Sequence, residues 1–455
     1  MLQTVRATLS ALEERLIEPN ARGLTAAVIA AIRDGVLAPG DRLPPIRTVA
    51  TQLALSPTTV SSAWSVLARS GTIRTDGRRG TTVADTRSSA GALRYQHAVQ
   101  PRSEFRLDLS TGVPDPALLP DLAPALQALG RSTSTPATYL DDPILPALVE
   151  QFAGDWPYPA EAFTLSDGAM DGIDLIARTL LSFGDRIVVE HPGFPPLLDL
   201  LDALGIEIVG VPMDDEGLRP AELAAALDTH TAAVFLQPRA QNPTGISTSA
   251  ARAEELAQVL GPHSALVVED DSAGAVAITP AMSLGHWLPD RTLHLRSFSK
   301  SHGPDLRLAG ISGPRELIGR LSARRQLGQG WTSRLLQRTL LHLLTDPDAV
   351  GLVAVARHEY ARRRASAVRQ LEGAGITVAG DDGLNLWIPV ADETAAIVRL
   401  ASQGIGVAPG APFSVLADQP GHIRVTIGLV DPDTTPVVEQ LAQAATVTGG
   451  WGRAR

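Results

Sequence analysis

Cysteine is absent from this 455-residue chain and lysine nearly so: of 39 basic residues, one alone, Lys300, is a lysine. Without cysteine there is no disulfide scaffold and no thiolate-ligated zinc or iron, and nothing in the chain calls for an oxidising compartment. Long hydrophobic runs are missing too. No apolar stretch approaches the roughly 20 residues that span a bilayer, and Met1–Glu18 mixes Glu and Arg into its apolar residues, unlike a secretory leader. The expectation is a soluble cytoplasmic protein with no membrane partner. The solitary lysine has a bland explanation, biased base composition with a chance survivor. The sharper one is a position whose chemistry a guanidinium cannot perform.

What is present is unevenly charged. Residues 1–106 carry 14 Arg against 8 acidic residues, net +6, whereas residues 107–455 are net −16. A small basic head therefore precedes a large acidic body. Between them, Asp85–Glu104 is polar, rich in Ser and Ala and without sustained apolar periodicity, as a linker is. Roughly 150 residues per domain allows about three units. The expected division is 1–84 as a head, 85–106 as a linker and 107–455 as the body, whose large part ends near 345 and whose small C-terminal part spans about 346–455.

In the head, Leu24–Val36 has apolar residues at helical spacing and is stopped by Ala38-Pro39-Gly40-Asp41. Pro45–Leu53 sets Ile46, Val49, Ala50 and Leu53 on one face. Ser56 then caps a third helix running to about Arg69, with Val60, Trp64 and Leu67 inward. Residues 72–74 and 81–83 read as strands around Asp76-Gly77-Arg78-Arg79-Gly80, a hairpin with a basic tip. Together these elements make a winged helix-turn-helix. In such a module the first turn of the recognition helix enters the major groove of double-stranded DNA while nearby basic and hydroxyl groups hold phosphates. That assigns Ser56, Thr58 and Thr59 to the reading turn with Ser61 one turn on, Arg42 and Arg47 to the flanks of the preceding helix, and Arg78 and Arg79 to the wing. Singly, each residue also fits a duller role, because hydroxyls cap helices and surface Arg is solvated. A net charge of +6 supplies few phosphate contacts per head. Tight operator binding then needs two heads and falls steeply with salt.

The body alternates short β-rich runs (187–189, 232–236, 266–268, 292–295 and 308–311) with helical patterns, which argues α/β with a mostly parallel sheet. A final α+β section has a long Arg-rich helix, His358–Leu371, and strands Leu384–Pro389 and Ile423–Ile427. Lys300 follows a strand in SFSKSHGPDLR. A buried lysine beside a cation is a nucleophilic amine suited to a Schiff base, and Arg307 with Ser297 and Ser299 can bind a phosphate. Gly168-Ala169-Met170 opens a helix whose positive end suits the same phosphate. Phe194 in HPGF offers a stacking face, Asn242 in NPTG an amide, and the EDD run at 269–271 a carboxylate for a pyridinium nitrogen. Arg424, in a later strand, is placed to hold a carboxylate.

The head sequence from Gly40 to Val83 resembles the GntR superfamily winged helix, with Pro57 where many members have Arg. SFSKSHGPDLR, QNPTG and VVEDD resemble the fold type I aminotransferases over Leu107 to the C-terminus. Both together resemble the MocR-type transcriptional regulators, in particular their actinobacterial and PtsJ-like branch. That resemblance implies a homodimer that binds pyridoxal 5'-phosphate (PLP). It makes Lys300 the Schiff-base lysine, Asp270 the pyridinium partner, Asn242 the partner of the ring's phenolic oxygen and Phe194 the stacking ring. Gly168, Ala169, Met170, Ser297, Ser299 and Arg307 become the phosphate cradle, with Tyr139 reaching it from the other subunit, and Arg424 takes an effector carboxylate. Ser272 stands where the family usually has a tyrosine that contacts the cofactor. The expected function is regulation of transcription in response to an amino compound or to vitamin B6 itself. The alternative is a working aminotransferase carrying a DNA-binding head.

Overall fold

The computed structural model describes residues 2–38, 40–69, 72–76, 80–83, 93–98, 105–131, 142–431 and 436–448. The chain divides into two compact units. One joins Met1–Leu93 with Leu180–Ile187 and Leu198–Ile208; the other joins Arg94–Thr179 with Val188–Leu197 and Val209–Arg455.

The head begins with a helix not anticipated from its pattern, α1 (Leu2–Arg15), which buries Leu9 and Leu12. Helix α2 (Ala21–Arg33) starts earlier than its apolar spacing suggests because the Asn20 side chain accepts the Gly23 N–H, a cap that sets where the first turn begins. Helices α3 (Ile46–Gln52) and α4 (Pro57–Arg69) follow, and Val49, Ala50, Val60, Trp64 and Leu67 meet α1 and α2 in one core. Strands β1 (Ile73–Asp76) and β2 (Gly80–Val83) pair antiparallel with Ile73 opposite Val83, both buried. Arg42 adds a single bridge to Thr82. The tip of this hairpin, with Arg78 and Arg79, lies outside the described residues.

Within the stretch read as a linker the structure places a helix, α5 (Leu93–Ala98). The segment looked unstructured because six residues are too few to show a periodicity. After β3 (Leu107–Asp108) come α6 (Ala123–Gly130), α7 (Pro146–Asp155), β4 (Ala162–Ser166), α8 (Ala169–Leu180), β5 (Arg186–His191) and α9 (Pro195–Ala203). Next are β6 (Glu207–Asp214), β7 (Gly217–Leu218), α10 (Pro220–Leu227), β8 (Ala233–Leu236), α11 (Ala250–Leu260), β9 (Leu266–Asp271), β10 (Thr292–Ser297) and β11 (Ala309–Gly313). One eight-stranded sheet results, in the order β4-β11-β10-β9-β8-β5-β6-β7. Strands β8, β9 and β10 are mutually parallel, and β11 is antiparallel to both β10 and β4. The expected central strands are all present. Strands β4 and β6 escaped notice: both lie towards the sheet's edges and are only partly buried, β4 breaks its apolar residues with Thr164, and the apolar run of β6 is interrupted by Gly210 and Pro212, which read as turn residues.

The C-terminal section holds α12 (Arg315–Gln326), α13 (Arg334–Thr345), the 27-residue α14 (Pro347–Gly373), β12 (Asn385–Pro389), α15 (Glu393–Ser402), β13 (Ile405–Gly406), β14 (Ala408–Pro409), β15 (His422–Thr426) and α16 (Val437–Ala445). Strands β12, β15 and β14 form a three-stranded sheet. The C-terminal core is not contiguous in sequence: β3 pairs parallel with β13, and Leu109 is buried among Leu386, Ile423 and Leu441. Residues 107–109 thus pack with the small part rather than the large one. Among the described residues no single helix is long and apolar enough to cross a membrane; α13 and α14 pass only as a pair bent by 75°.

The Ser56 hydroxyl accepts the Thr59 N–H at 3.0 Å, three residues into the cap of α4. Ser56→Ala removes this bond at a cost of about 1 kcal/mol. Hydrogen exchange of the α4 amides in the full chain is expected to speed up about fivefold. Unchanged exchange would show that the cap contributes nothing.

Candidate cofactor pocket and DNA-reading head

The C-terminal ends of β8, β9 and β10 open into one cavity of about 290 Å3. Lining it are Ala169, Met170, Phe194, Asn242, Asp270, Ser272, Ser297, Ser299, Lys300, Arg307 and Arg424, so residues more than 250 positions apart in sequence converge here. Two larger clefts of about 550 Å3 each contain none of these side chains. Tyr139 lies outside the described residues.

The acidic run at the end of β9 is sorted by strand alternation. Glu269 and Asp271 take one face: Glu269 accepts from Ser283 at 2.5 Å and contacts His294 at 2.7 Å, and Asp271 forms a two-pronged ion pair with Arg239 at 2.9 and 2.7 Å. Burial acts to raise Asp271, but Arg239 outweighs it and holds the carboxyl at about 2. Asp270 takes the opposite face, into the cavity. Its Oδ2 accepts from Gln237 at 2.7 Å, while Oδ1 is buried with no hydrogen-bond partner among the described residues. Burial, opposed by Gln237, pushes Asp270 up to about 6. An unpaired buried carboxylate oxygen is costly unless something donates to it. On the far side of Gln237, burial drives Glu190 up to about 8, so it is protonated at neutral pH. Asp270 is therefore the carboxylate this floor presents.

Lys300 sits in the turn after β10, and its Nζ donates to the Gly112 carbonyl. Burial, then the nearby Arg424 charge, lower it to about 8, with Asp270 acting the other way. Such an amine is partly neutral near physiological pH. Arg307 occupies the left-handed region (φ 48) at the end of a short 3-10 turn. Its guanidinium lies where a side chain at residue 168 would go, since a Cβ there would fall 2.9 Å from Nη2. Gly168, at φ +99, is thus required both by its backbone and by this approach. Together with the start of α8, Ser297 and Ser299, Arg307 forms a cationic, donor-rich cradle; among the described residues no carboxylate pairs with it.

Arg424 projects from β15, 2 % exposed. It donates to the Ser110 carbonyl, lies 3.5 Å from Asn242 Oδ1 and stacks over Phe413 at 5.4 Å. Its Nε has no hydrogen-bond partner among the described residues, and burial lowers the guanidinium to about 10. The Ser272 hydroxyl accepts from Gln237 at 3.2 Å. Gln237, whose amide also binds Asp270 and whose Oε1 accepts the Asn242 N–H, was missed in the sequence. The available signal was a polar residue closing the apolar run of β8. Gly112, Phe413 and Tyr95 line the cavity without any sequence signal.

In the head, Arg42, Arg47, Ser56, Thr58 and Ser61 are exposed and Thr59 is half-buried. The hydroxyls of Thr58 and Thr59 lie 2.6 and 2.7 Å from Ser56 Oγ, so this turn spends part of its hydrogen-bonding capacity on its own cap.

The second unit defines a fold type I aminotransferase body, and residues 106–441 match the family "Aminotransferase class I and II". The head, residues 20–83, matches "Bacterial regulatory proteins, gntR family". The chain belongs to the MocR-type transcriptional regulators, which join these two parts. It is 33% identical over 423 residues to the vitamin B6 salvage pathway transcriptional repressor PtsJ of Salmonella typhimurium, covering 90% of this chain and 95% of that one. It is 32% identical over 302 residues to the pyridoxine biosynthesis transcriptional regulator PdxR of Corynebacterium glutamicum, covering 64% and 65%. Among solved structures, Pyrococcus horikoshii kynurenine aminotransferase superposes with a TM-score of 0.70 at 21% identity, covering 78% of this chain and 94% of that one.

The depressed lysine makes a stability statement. An unfolded lysine titrates near 10.5 and folded Lys300 near 8, so between those values unfolding takes up a proton and stability rises with pH. Below that window the penalty is constant. Lys300→Met is expected to flatten the rise, measured as the wild-type-minus-variant difference in urea midpoint from pH 8 to 10.

Proposed function

We propose that the cavity holds PLP attached to Lys300 and that the protein regulates transcription as a cytoplasmic homodimer sensing an amino compound or vitamin B6 itself. The observation that carries this is Oδ1 of Asp270, an acceptor buried at the cavity with no hydrogen-bond partner among the described residues, which a ring N–H would satisfy. The donor set around it fits the cofactor. Arg307, Ser297, Ser299 and the start of α8 at Gly168-Ala169-Met170 suit its phosphate. Phe194 suits its ring face, Asn242 its phenolic oxygen, and Tyr139 of a second subunit completes the cradle. Bound there, PLP supplies an electrophilic carbon for amines and an electron-withdrawing ring. The protein's part is to keep Lys300 partly neutral, Asp270 ionised and Arg424 free to take a carboxylate. The names of PtsJ and PdxR support vitamin B6 chemistry as the signal. On the DNA side, Arg42, Arg47, Arg78 and Arg79 act on phosphates while Ser56, Thr58, Thr59 and Ser61 face the major groove of the operator.

A second reading, a working aminotransferase, is favoured by the retention of Lys300, Asp270, Asn242 and Arg424 in one pocket. Sustained multiple turnover with any amino acid and keto acid pair would overturn regulation as the sole role. Purified protein loaded with PLP is expected to show the visible band of attached cofactor, and Lys300→Ala to lose it. A colourless wild type would remove the cofactor assignment. Binding to the intergenic DNA beside its own gene, followed by fluorescence anisotropy, is expected to weaken uniformly across sequences in Arg47→Ala, with the salt slope reduced by about one. Retained affinity would reject Arg47 as a phosphate contact.

A further inference from the structure

Glu190, near the end of β5, is 5 % exposed and is not among the residues that line the cofactor cavity, yet its contacts lead to the residues assigned to the cofactor ring. Its Oε2 accepts the Gln237 N–H at 3.1 Å, just past the neighbouring strand β8. The Gln237 amide can then be oriented in only one way. The Asn242 N–H is a donor, so the atom facing it at 2.7 Å is Oε1, and Nε2 is left to donate to Asp270 at 2.7 Å on the next strand, β9. The Glu190 carboxyl also meets the Gln241 side chain. Gln241 donates to the Pro192 carbonyl at 2.8 Å and accepts from the Thr244 hydroxyl at 2.7 Å, which ties the turn leading to Phe194 to the turn that carries Asn242. Among the described residues no basic side chain pairs with Glu190. Burial therefore prevails over its donors and keeps it protonated at neutral pH, so it adds no second charge beside Asp270.

We infer that Glu190 is a positioning residue for the ring of the cofactor: it fixes the Gln237 main chain and the Gln241 side chain, and through them the placement of Asp270 and Asn242, without touching the cofactor itself. This rests on the proposal that the cavity holds PLP with its ring nitrogen at Asp270. Without an acceptor at 190 the buried Gln237 N–H loses this partner, and an interior donor left unpaired is costly enough to move the strand end towards another. The Gln237 amide moves with it. Asp270 then keeps its charge and loses the bond that sets its direction. A hydrogen bond weakens steeply as its angle opens, so the loss falls on the contact between Asp270 and the ring nitrogen. The phosphate is spared, because Arg307 and the start of α8 hold it from elsewhere in the cavity.

The test uses the full chain and two probes, PLP and its 1-deaza analogue, which keeps the aldehyde and the phosphate and has carbon in place of the ring nitrogen. Dissociation constants are measured by equilibrium dialysis. The wild type is expected to prefer PLP. Glu190→Met fills the volume and deletes the acceptor; it is expected to weaken PLP about tenfold, the scale of one hydrogen bond to a charged group, and to leave the analogue unchanged. Glu190→Gln keeps an acceptor for the Gln237 N–H and is expected to behave as the wild type with both probes. Gln237→Met is expected to lose the same preference, and the double variant no more than Gln237→Met alone, because the two residues act in series. If Glu190→Met does not fold, Glu190→Asp, one methylene shorter, takes its place with the same expected loss. Unchanged PLP affinity, equal losses for both probes, Glu190→Gln as weak as Glu190→Met, or additive losses in the double variant overturns the inference and leaves the cofactor assignment standing. A wild type that takes up no PLP, or does not prefer it to the analogue, overturns the reading beneath it.

Discussion

The ion pair between Arg239 and Asp271 underlies the site. It is fully buried on the Asp271 side and joins the loop after β8 to the end of β9 through two hydrogen bonds. Removing either partner would strand a charge in the interior, a loss of about 3–5 kcal/mol in comparable cases. By committing Asp271 to Arg239 and Glu269 to Ser283 and His294, the fold leaves Asp270 facing the cavity with one oxygen unpaired. Gln237 is the hinge of this arrangement, because its side chain reaches Asp270, Ser272 and the Asn242 backbone at once.

Three cations line the same cavity as that carboxylate, in three different environments. Burial and Arg424 make Lys300 a weak enough base to be partly neutral. Arg307 is more exposed and lies across Gly168 at the start of α8, where the helix dipole adds to its field. Arg424 is buried against Phe413 with the Ser110 carbonyl and the Asn242 amide oxygen around it, and among the described residues no carboxylate forms an ion pair with it. Burial, neighbouring charge and exposure thus set the three cations of one cavity apart from one another. The substitution at 272 fits the same economy: serine is too short to reach where a tyrosine would, and its hydroxyl turns instead to Gln237.

The first turn of α4 is tied up in its own cap. Ser56, Thr58 and Thr59 form a hydroxyl cluster that starts α4 and at the same time lie on its leading turn. Ser61, exposed one turn on, is outside that cluster.

Much of this was legible in the chain itself. Periodicity located α2, α3, α4 and the central strands, since burial of one face or of a whole strand imposes a repeat that local sequence must carry. Motif spacing gathered Lys300, Arg307, Asn242 and the acidic run, because these sit beside strand ends that the sheet brings into register. Helix α5, the edge strands β4 and β6, and the membership of Leu109 in the C-terminal core were not legible, being short, half-exposed or dependent on a partner almost 300 residues away. Sequence alone determined that one lysine exists and that it follows a strand in the run SFSKSHGPDLR. Only tertiary structure decided which of three adjacent acids faces it, that Gln237 and Gly112 complete its surroundings and that Tyr95 enters the same cavity. Those choices depend on which face of a strand is buried and on what packs across it, and neither quantity is carried by neighbours in the chain.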